Sequence, residues 1–173
     1  MPFKNTKKYR LKKWDYAYNG FYSITICTYE KMEYFGKINN DKMELNWCGK
    51  IAMENWENII THYNNIKLHN FVIMPNHIHG IIEIFDKKNK NTPWRVPTKN
   101  KTLSPLNKNS ISSIINHFKG ATTNKINEIK PNYLKWQPRF HDHIIRNEKD
   151  YINHIIYIEN NVKNYENDRN NVK

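Results

Sequence analysis

FVIMPNHIHGIIEI, residues 71–84, reads as an apolar strand, a break at Met74-Pro75-Asn76, and a second apolar strand that opens on two histidines. Side chains alternate across a strand, so His77 and His79 share one face and Ile78 takes the other. Two imidazoles side by side make half of a divalent-metal site, because neutral imidazole is the commonest metal ligand. The plainer alternative is a strand face that happens to carry two polar residues. The flanking Ile, Val and Phe weigh against it, since the histidines interrupt an otherwise apolar pattern. Pro75 has no N–H for a sheet ladder and Asn76 beside it is turn chemistry, so the break joins two paired strands.

Upstream of this pair, FYSITICT at 21–28 is dominated by β-branched and aromatic residues and predicts a strand, although its alternation is not clean. EYFGKI and KMELN, on either side of Asn39-Asn40-Asp41, predict a hairpin. Asn46 is a candidate N-cap for a helix that runs to about Tyr63, with Ala52, Trp56, Ile59, Ile60 and Tyr63 as its apolar stripe. That stripe is read as core. Downstream, residues 86–108 are basic, proline-containing and poor in apolar residues, and are read as a loop. Residues 109–129 predict a helix with Ile111, Ile114, Ile115 and Phe118 on one face. Gly120 costs that helix about 1 kcal/mol relative to Ala and suggests a close helix–sheet approach. Residues 136–146, WQPRFHDHIIR, predict the last strand, and 151–163 the last helix. The polar tail, 164–173, is expected to fray. Antiparallel strands with helices packed on one face make this an α+β chain of ferredoxin-like kind.

The totals bound the function. The 173 residues are most simply one domain spanning 1–173, and a domain of that size buries roughly 70% of its unfolded surface. The net charge of +12 predicts a polyanionic partner, nucleic acid before anionic membrane. No apolar run approaches the ~20 residues of a spanning helix. The basic arm at 1–19 lacks the apolar segment of a signal peptide, and Cys27 and Cys48 form no disulfide framework, so the chain is read as cytoplasmic with no membrane partner.

The last helix supplies a second half-site. Tyr157 and Asn161, four apart, share a helix face. Beside the histidine strand, Tyr157 becomes a candidate nucleophile and Asn161, through its amide oxygen, a candidate third metal ligand. A phenol has a pKa near 10 and needs an activated target. A metal-bound phosphate is one, because the ion polarises the phosphoryl oxygens and aligns the attack. The competing reading of Tyr157 is a tyrosine at the edge of the core, on a helix whose Tyr151, Ile152, Ile155 and Ile156 already offer an apolar face.

MPNHIHG after an apolar strand, WQPRF-x-x-H-x-IRNEKDY, and the Tyr-Ile-x-x-Asn helix together resemble the single-tyrosine HUH transposases, and among them the REP-associated tyrosine transposases (RAYT). The resemblance runs from about Gly20 to Lys163. It implies a ferredoxin-like α+β domain with the histidine pair on a central strand. It implies an endonuclease and strand transferase that cleaves and rejoins single-stranded DNA through a 5′-phosphotyrosyl bond. By position, His77 and His79 are the metal pair for Mg²⁺ or Mn²⁺, Tyr157 is the nucleophile, and Asn161 completes the metal site. The implied partner is single-stranded DNA with hairpins, and a homodimer is left open. Tyr151 and Tyr165 are competing tyrosines. Val162 stands where the family often has proline, and the chain lacks the longer C-terminal extension of many relatives. His141 and His143 form a second His-x-His, read as phosphate-binding or structural. The alternative function is a domesticated, non-cleaving protein that binds single-stranded DNA or RNA, using Phe21 and Tyr22 as strand aromatics.

Overall fold

The computed structural model describes residues 19–85, 110–168 and 170–171, so the basic arm up to 18 and the predicted loop at 86–108 lie outside the described residues. Gly20–Cys27 forms β1, Gly36–Asn39 and Lys42–Leu45 form β2 and β3, Ile66–Ile73 forms β4, His77–Ile84 forms β5 and His141–Ile145 forms β6. Helices are α1 (Trp47–Glu57), α2 (Ile59–His62), α3 (Ile111–Ile129) and α4 (Glu148–Asn160). The main sheet has four strands in the order β4-β5-β1-β6, and every neighbouring pair is antiparallel. Its two halves interleave as the ferredoxin-like fold requires, with the histidine strand β5 and β1 in the centre. The predicted fold class is therefore the one observed.

The β2–β3 hairpin closes on Asn40 and Asp41, which hold φ of 49° and 57°. A two-residue loop needs positive φ at both positions, and Asn and Asp tolerate it better than most residues. Asn46 caps α1 by accepting from the Gly49 amide at 3.0 Å, as its place in the sequence predicts. The helix does not run unbroken to Tyr63. It ends at Glu57, kinks at Asn58 and resumes as α2, which leaves Ile60 of the predicted stripe 53% exposed.

Each face of the sheet carries its own core. Tyr22, Ile24, Ile26, Ile78 and Ile82 meet Ala52 and Trp56 of α1 and Ile111, Ile114, Ile115 and Phe118 of α3. Phe21, Ile81 and Ile145, on the opposite face, meet Ile158 of α4, with Tyr151 and Ile155 packed beside them. This corrects the expectation of helices on one face only: α4 covers the other. It also explains why the alternation of β1 is not clean in sequence. Both of its faces are buried, so Phe21 is apolar on the face that also carries Ser23 and Thr25. Phe21 and Tyr22 are buried as well, which removes them as exposed base-stacking aromatics.

Two further expectations are corrected. Gly120 faces open space, and the close helix–sheet approach occurs instead at Gly80, where a Cβ would lie 2.4 Å from Trp56. The last strand begins at His141, not Trp136. Pro138 has no N–H to continue a ladder, so Trp136 makes only an isolated bridge to Thr28. The carbonyls of Gln137 and Arg139 are taken by the Lys119 ammonium at 2.7 and 3.3 Å. Burial there pushes the Lys119 pKa down to about 8.

Candidate active site

Antiparallel register sets the site. Thr25 on β1 lies opposite His79 on β5, and Cys27 opposite His77. His77 and His79 are both buried, with ring centroids 4.6 Å apart. Thr25 Oγ1 lies 2.8 Å from His79 Nδ1. With the proton on Nδ1, donated to that hydroxyl, Nε2 of His79 carries the lone pair. His77 is fixed more tightly. Asn76 donates both amide hydrogens, to the Lys31 carbonyl at 3.1 Å and the Asn170 carbonyl at 2.8 Å. Its Oδ1 must therefore be the atom 2.7 Å from His77 Nδ1, and it accepts from an Nδ1–H. His77 thus holds Nε2 as its lone-pair nitrogen, and each ring is oriented by a hydrogen bond at its far side. Metal-ligating histidines are commonly held in this way.

The Asn76 turn is itself anchored. Thr28 donates its backbone amide and its hydroxyl to the Asn76 carbonyl, each at 2.9 Å. The Phe35 amide reaches the Pro75 carbonyl at 3.0 Å. The MPNH segment is thus a connection with its polar groups spoken for, which holds the first histidine in place.

α4 brings the remaining predicted residues. Asn147 caps it by accepting from the Asp150 amide at 2.9 Å, and Tyr151, Ile155 and Ile158 seat it on the sheet. That face leaves Tyr157 beside the histidines. Its hydroxyl lies 3.2 Å from His79 Nε2, its ring is edge-on to the His79 ring at 5.1 Å, and it is 43% exposed. Asn161 follows at the end of α4, 2% exposed, and donates its amide to Asp168 Oδ2 at 3.3 Å. The other amide atom, Oδ1, is buried without a hydrogen-bond partner. An unmet buried acceptor costs about 1–3 kcal/mol, which a cation would relieve.

Asp168 is the residue that sequence reasoning missed. It lies in the segment expected to fray, yet its carboxylate accepts from the Tyr157 hydroxyl at 3.3 Å and also from Asn161. His77, His79 and Asp168 bring one ligand atom each to within 4.8 Å of one another. The tail folds back because it has partners. The turn Tyr165–Asn167 places the buried Tyr165 ring parallel to His77 at 6.4 Å, and its hydroxyl donates to Glu33 at 2.9 Å. Burial first, and Glu33 second, push the Tyr165 pKa far above that of a free phenol. Asn170, also buried, receives the Asn76 amide and donates its own backbone N–H to Asp168. The only hint in sequence was an aromatic residue in an otherwise polar tail.

The competing tyrosine hydroxyls are engaged elsewhere. The Tyr151 hydroxyl lies 2.7 Å from His69 Nδ1, and Tyr165 faces Glu33. A cleft of about 770 Å³ opens beside Tyr157, lined by His79, Asn161 and Asp168 and also by His143 and His154. Two imidazoles, a carboxylate and an unmet amide oxygen form a donor set suited to a small divalent cation. The structure's own chemistry therefore fits the metal implied by the sequence pattern.

No family model matches the sequence. An uncharacterised protein of Haemophilus influenzae is 40% identical over 164 residues, which span 92% of this chain and 89% of that one. Among solved structures, a REP-associated tyrosine transposase bound to a REP hairpin matches with a TM-score of 0.59 and 20% identity, covering 90% of this chain and 73% of that one. A transposase candidate from Deinococcus radiodurans matches with a TM-score of 0.49 and 16% identity, over 87% of this chain and 97% of that one.

Proposed function

This chain belongs to one family with the Haemophilus influenzae protein and has the fold of a REP-associated tyrosine transposase, and from that premise we propose that it is a metal-dependent enzyme that cleaves and rejoins single-stranded DNA. The observation that carries the proposal is the Tyr157 hydroxyl, held 3.2 Å from His79 Nε2 and 3.3 Å from Asp168 at the mouth of a cleft. A phenol is a weak nucleophile at neutral pH. Here it has a carboxylate within reach to take its proton.

Tyr157 is the nucleophile. Its oxygen attacks a backbone phosphorus, the P–O3′ bond breaks, and the leaving 3′ oxygen is protonated. The tyrosine's proton passes first to Asp168. The product is a 5′-phosphotyrosyl bond and a free 3′-OH. One phosphodiester replaces another, so the reverse attack by a 3′-OH rejoins the strand without an external energy source. His77 and His79 with Asp168 and the Asn161 amide oxygen would hold a divalent ion, Mg²⁺ or Mn²⁺, which when bound stabilises charge on the phosphoryl oxygens. Thr25 and Asn76 keep the histidine nitrogens pointed at that position. The net charge of +12 suits the DNA backbone as partner. Hairpin-bearing single strands are the substrate this reading favours, because the solved structural relative is bound to a REP hairpin.

The test is a denaturing gel with labelled hairpin DNA from the gene's own flanks and Mn²⁺. Wild type should yield a slow, protease-sensitive DNA adduct that Tyr157→Phe and chelator both abolish. An adduct that persists in Tyr157→Phe would move the nucleophile to another tyrosine. A gel shift without adduct, indifferent to chelator and to His77→Ala, would overturn the proposal in favour of a protein that only binds nucleic acid.

A further inference from the structure

A second group of side chains converges between β6 and α4, and it shares no residue with the first. His143 projects from β6, and Asp150 and His154 lie one turn apart on α4, on the same helix face. His143 Nε2 is 2.9 Å from Asp150 Oδ2, and His154 Nε2 is 3.6 Å from Asp150 Oδ1. The two imidazole rings are 4.7 Å apart, and one ligand atom from each of the three residues lies within 4.8 Å of the others. We propose that His143, Asp150 and His154 form a second metal site, specific for a transition cation of the zinc class.

The geometry is near what such an ion needs. With bonds of about 2.0–2.1 Å in a tetrahedron, ligand atoms stand roughly 3.3 Å apart. The observed 2.9 and 3.6 Å run to the two different oxygens of Asp150, and one ligand atom of each residue lies within 4.8 Å of the others, so rotamer changes that draw both imidazoles toward one oxygen would complete the set. The carboxylate is already oriented: Asp150 Oδ2 accepts from the Arg146 backbone amide at 3.3 Å, and the Asp150 amide is tied to the Asn147 cap. A fixed central carboxylate between two imidazoles is a frame for a cation. It would repel an anion, which argues against a phosphate contact at His143.

Charge states agree. Burial raises the Asp150 pKa, but the hydrogen bonds from His143 and the Arg146 amide, with the nearby imidazoles, outweigh it and leave the carboxyl below its ordinary value. Burial, and then the neighbouring His143, lower the His154 pKa, so this imidazole is neutral and offers a lone pair at neutral pH. Two imidazoles and one carboxylate with an open position are a common zinc donor set. His143 and His154 both line the cleft that holds Tyr157.

The test is zinc stoichiometry by competition with a chromophoric chelator, with cobalt absorption as a second readout of coordination. A His77→Ala/His79→Ala chain isolates the new site. It should bind one equivalent, and adding His143→Ala or His154→Ala should weaken that binding at least 100-fold with an unchanged circular dichroism spectrum. If the double variant folds poorly, the wild-type chain serves, and its zinc count should drop by one equivalent on His143→Ala. Zinc binding that His143→Ala and His154→Ala leave unchanged, or no zinc in the isolating variant, overturns the site and leaves an ordinary histidine–aspartate ion pair. The DNA adduct assay does not enter this count, so failure of the cleavage reading and failure of this one are separate results.

Discussion

His79 is asked to do two things at once. Its Nδ1 is tied to Thr25 at 2.8 Å, while its Nε2 faces Tyr157 and the carboxylate of Asp168. The first contact orients the ring for the second, because a hydrogen bond at Nδ1 leaves Nε2 as the nitrogen that faces the site. Thr25→Val keeps the shape and the β-branching of a strand residue but removes the hydrogen-bond partner. We expect it to lower Mn²⁺ affinity by about 10- to 100-fold, read by isothermal titration, while the fold is retained. An unchanged affinity would remove Thr25 from the support of the site. At this scale His77 and His79 stood out by residue type and strand spacing, whereas Tyr157 and Asn161 were singled out by the resemblance to the single-tyrosine transposases. Thr25 and Asn76 were not, since a threonine in a strand and an asparagine in a turn each have commoner uses. They acquire their roles only through cross-strand register and through the two carbonyls that fix the Asn76 amide.

Among the elements, β5 carries the site on one face and supports the main core on the other. Gly80 lies on the core face next to His79 in the chain, and a Cβ there would sit 2.4 Å from the Trp56 ring. Gly80→Ala should therefore cost about 1–3 kcal/mol in urea denaturation, the usual penalty for overpacking. Gly120 in α3 is the contrast, since a Cβ there meets nothing within 4 Å. Gly120→Ala should raise stability by up to about 1 kcal/mol. Equal effects at the two positions would contradict the packing described. Element types were legible in the main: the strands, the hairpin and the helices lie near where their patterns put them, apart from the break at Asn58 and the later start of β6 at His141. Which face each helix covers was not legible. α3 shows one clear apolar stripe, whereas α4 leaves Ile152 and Ile156 about half exposed and seats Tyr151, Ile155 and Ile158 instead. Its isoleucines alone do not reveal which side meets the sheet.

For the whole molecule, the chain end closes the site. The segment after α4 crosses back to put Tyr165 on His77, Asn170 on Asn76 and Asp168 beside Tyr157. A chain ending at Lys163 should lose at least about tenfold in Mn²⁺ affinity and should form the DNA adduct far more slowly. It should also unfold at lower denaturant, because Tyr165 and Asn170 are buried. A truncated chain with wild-type metal affinity would show that Asp168 is dispensable.

The sequence by itself determined the α+β class, the paired strands around Pro75, the histidine pair on one strand face and the tyrosine helix, because these depend on local period and on the backbone limits of proline. The net charge pointed to a polyanionic partner without any coordinates. Only the tertiary structure decided that α4 lies on the histidine face of the sheet, that Asp168 joins the site, and that His143 meets Asp150 and His154. Each of these is a meeting of residues distant in the chain, or of elements whose local pattern is compatible with more than one partner. Such contacts are fixed by which surfaces can be buried together, and a one-dimensional pattern does not carry that information.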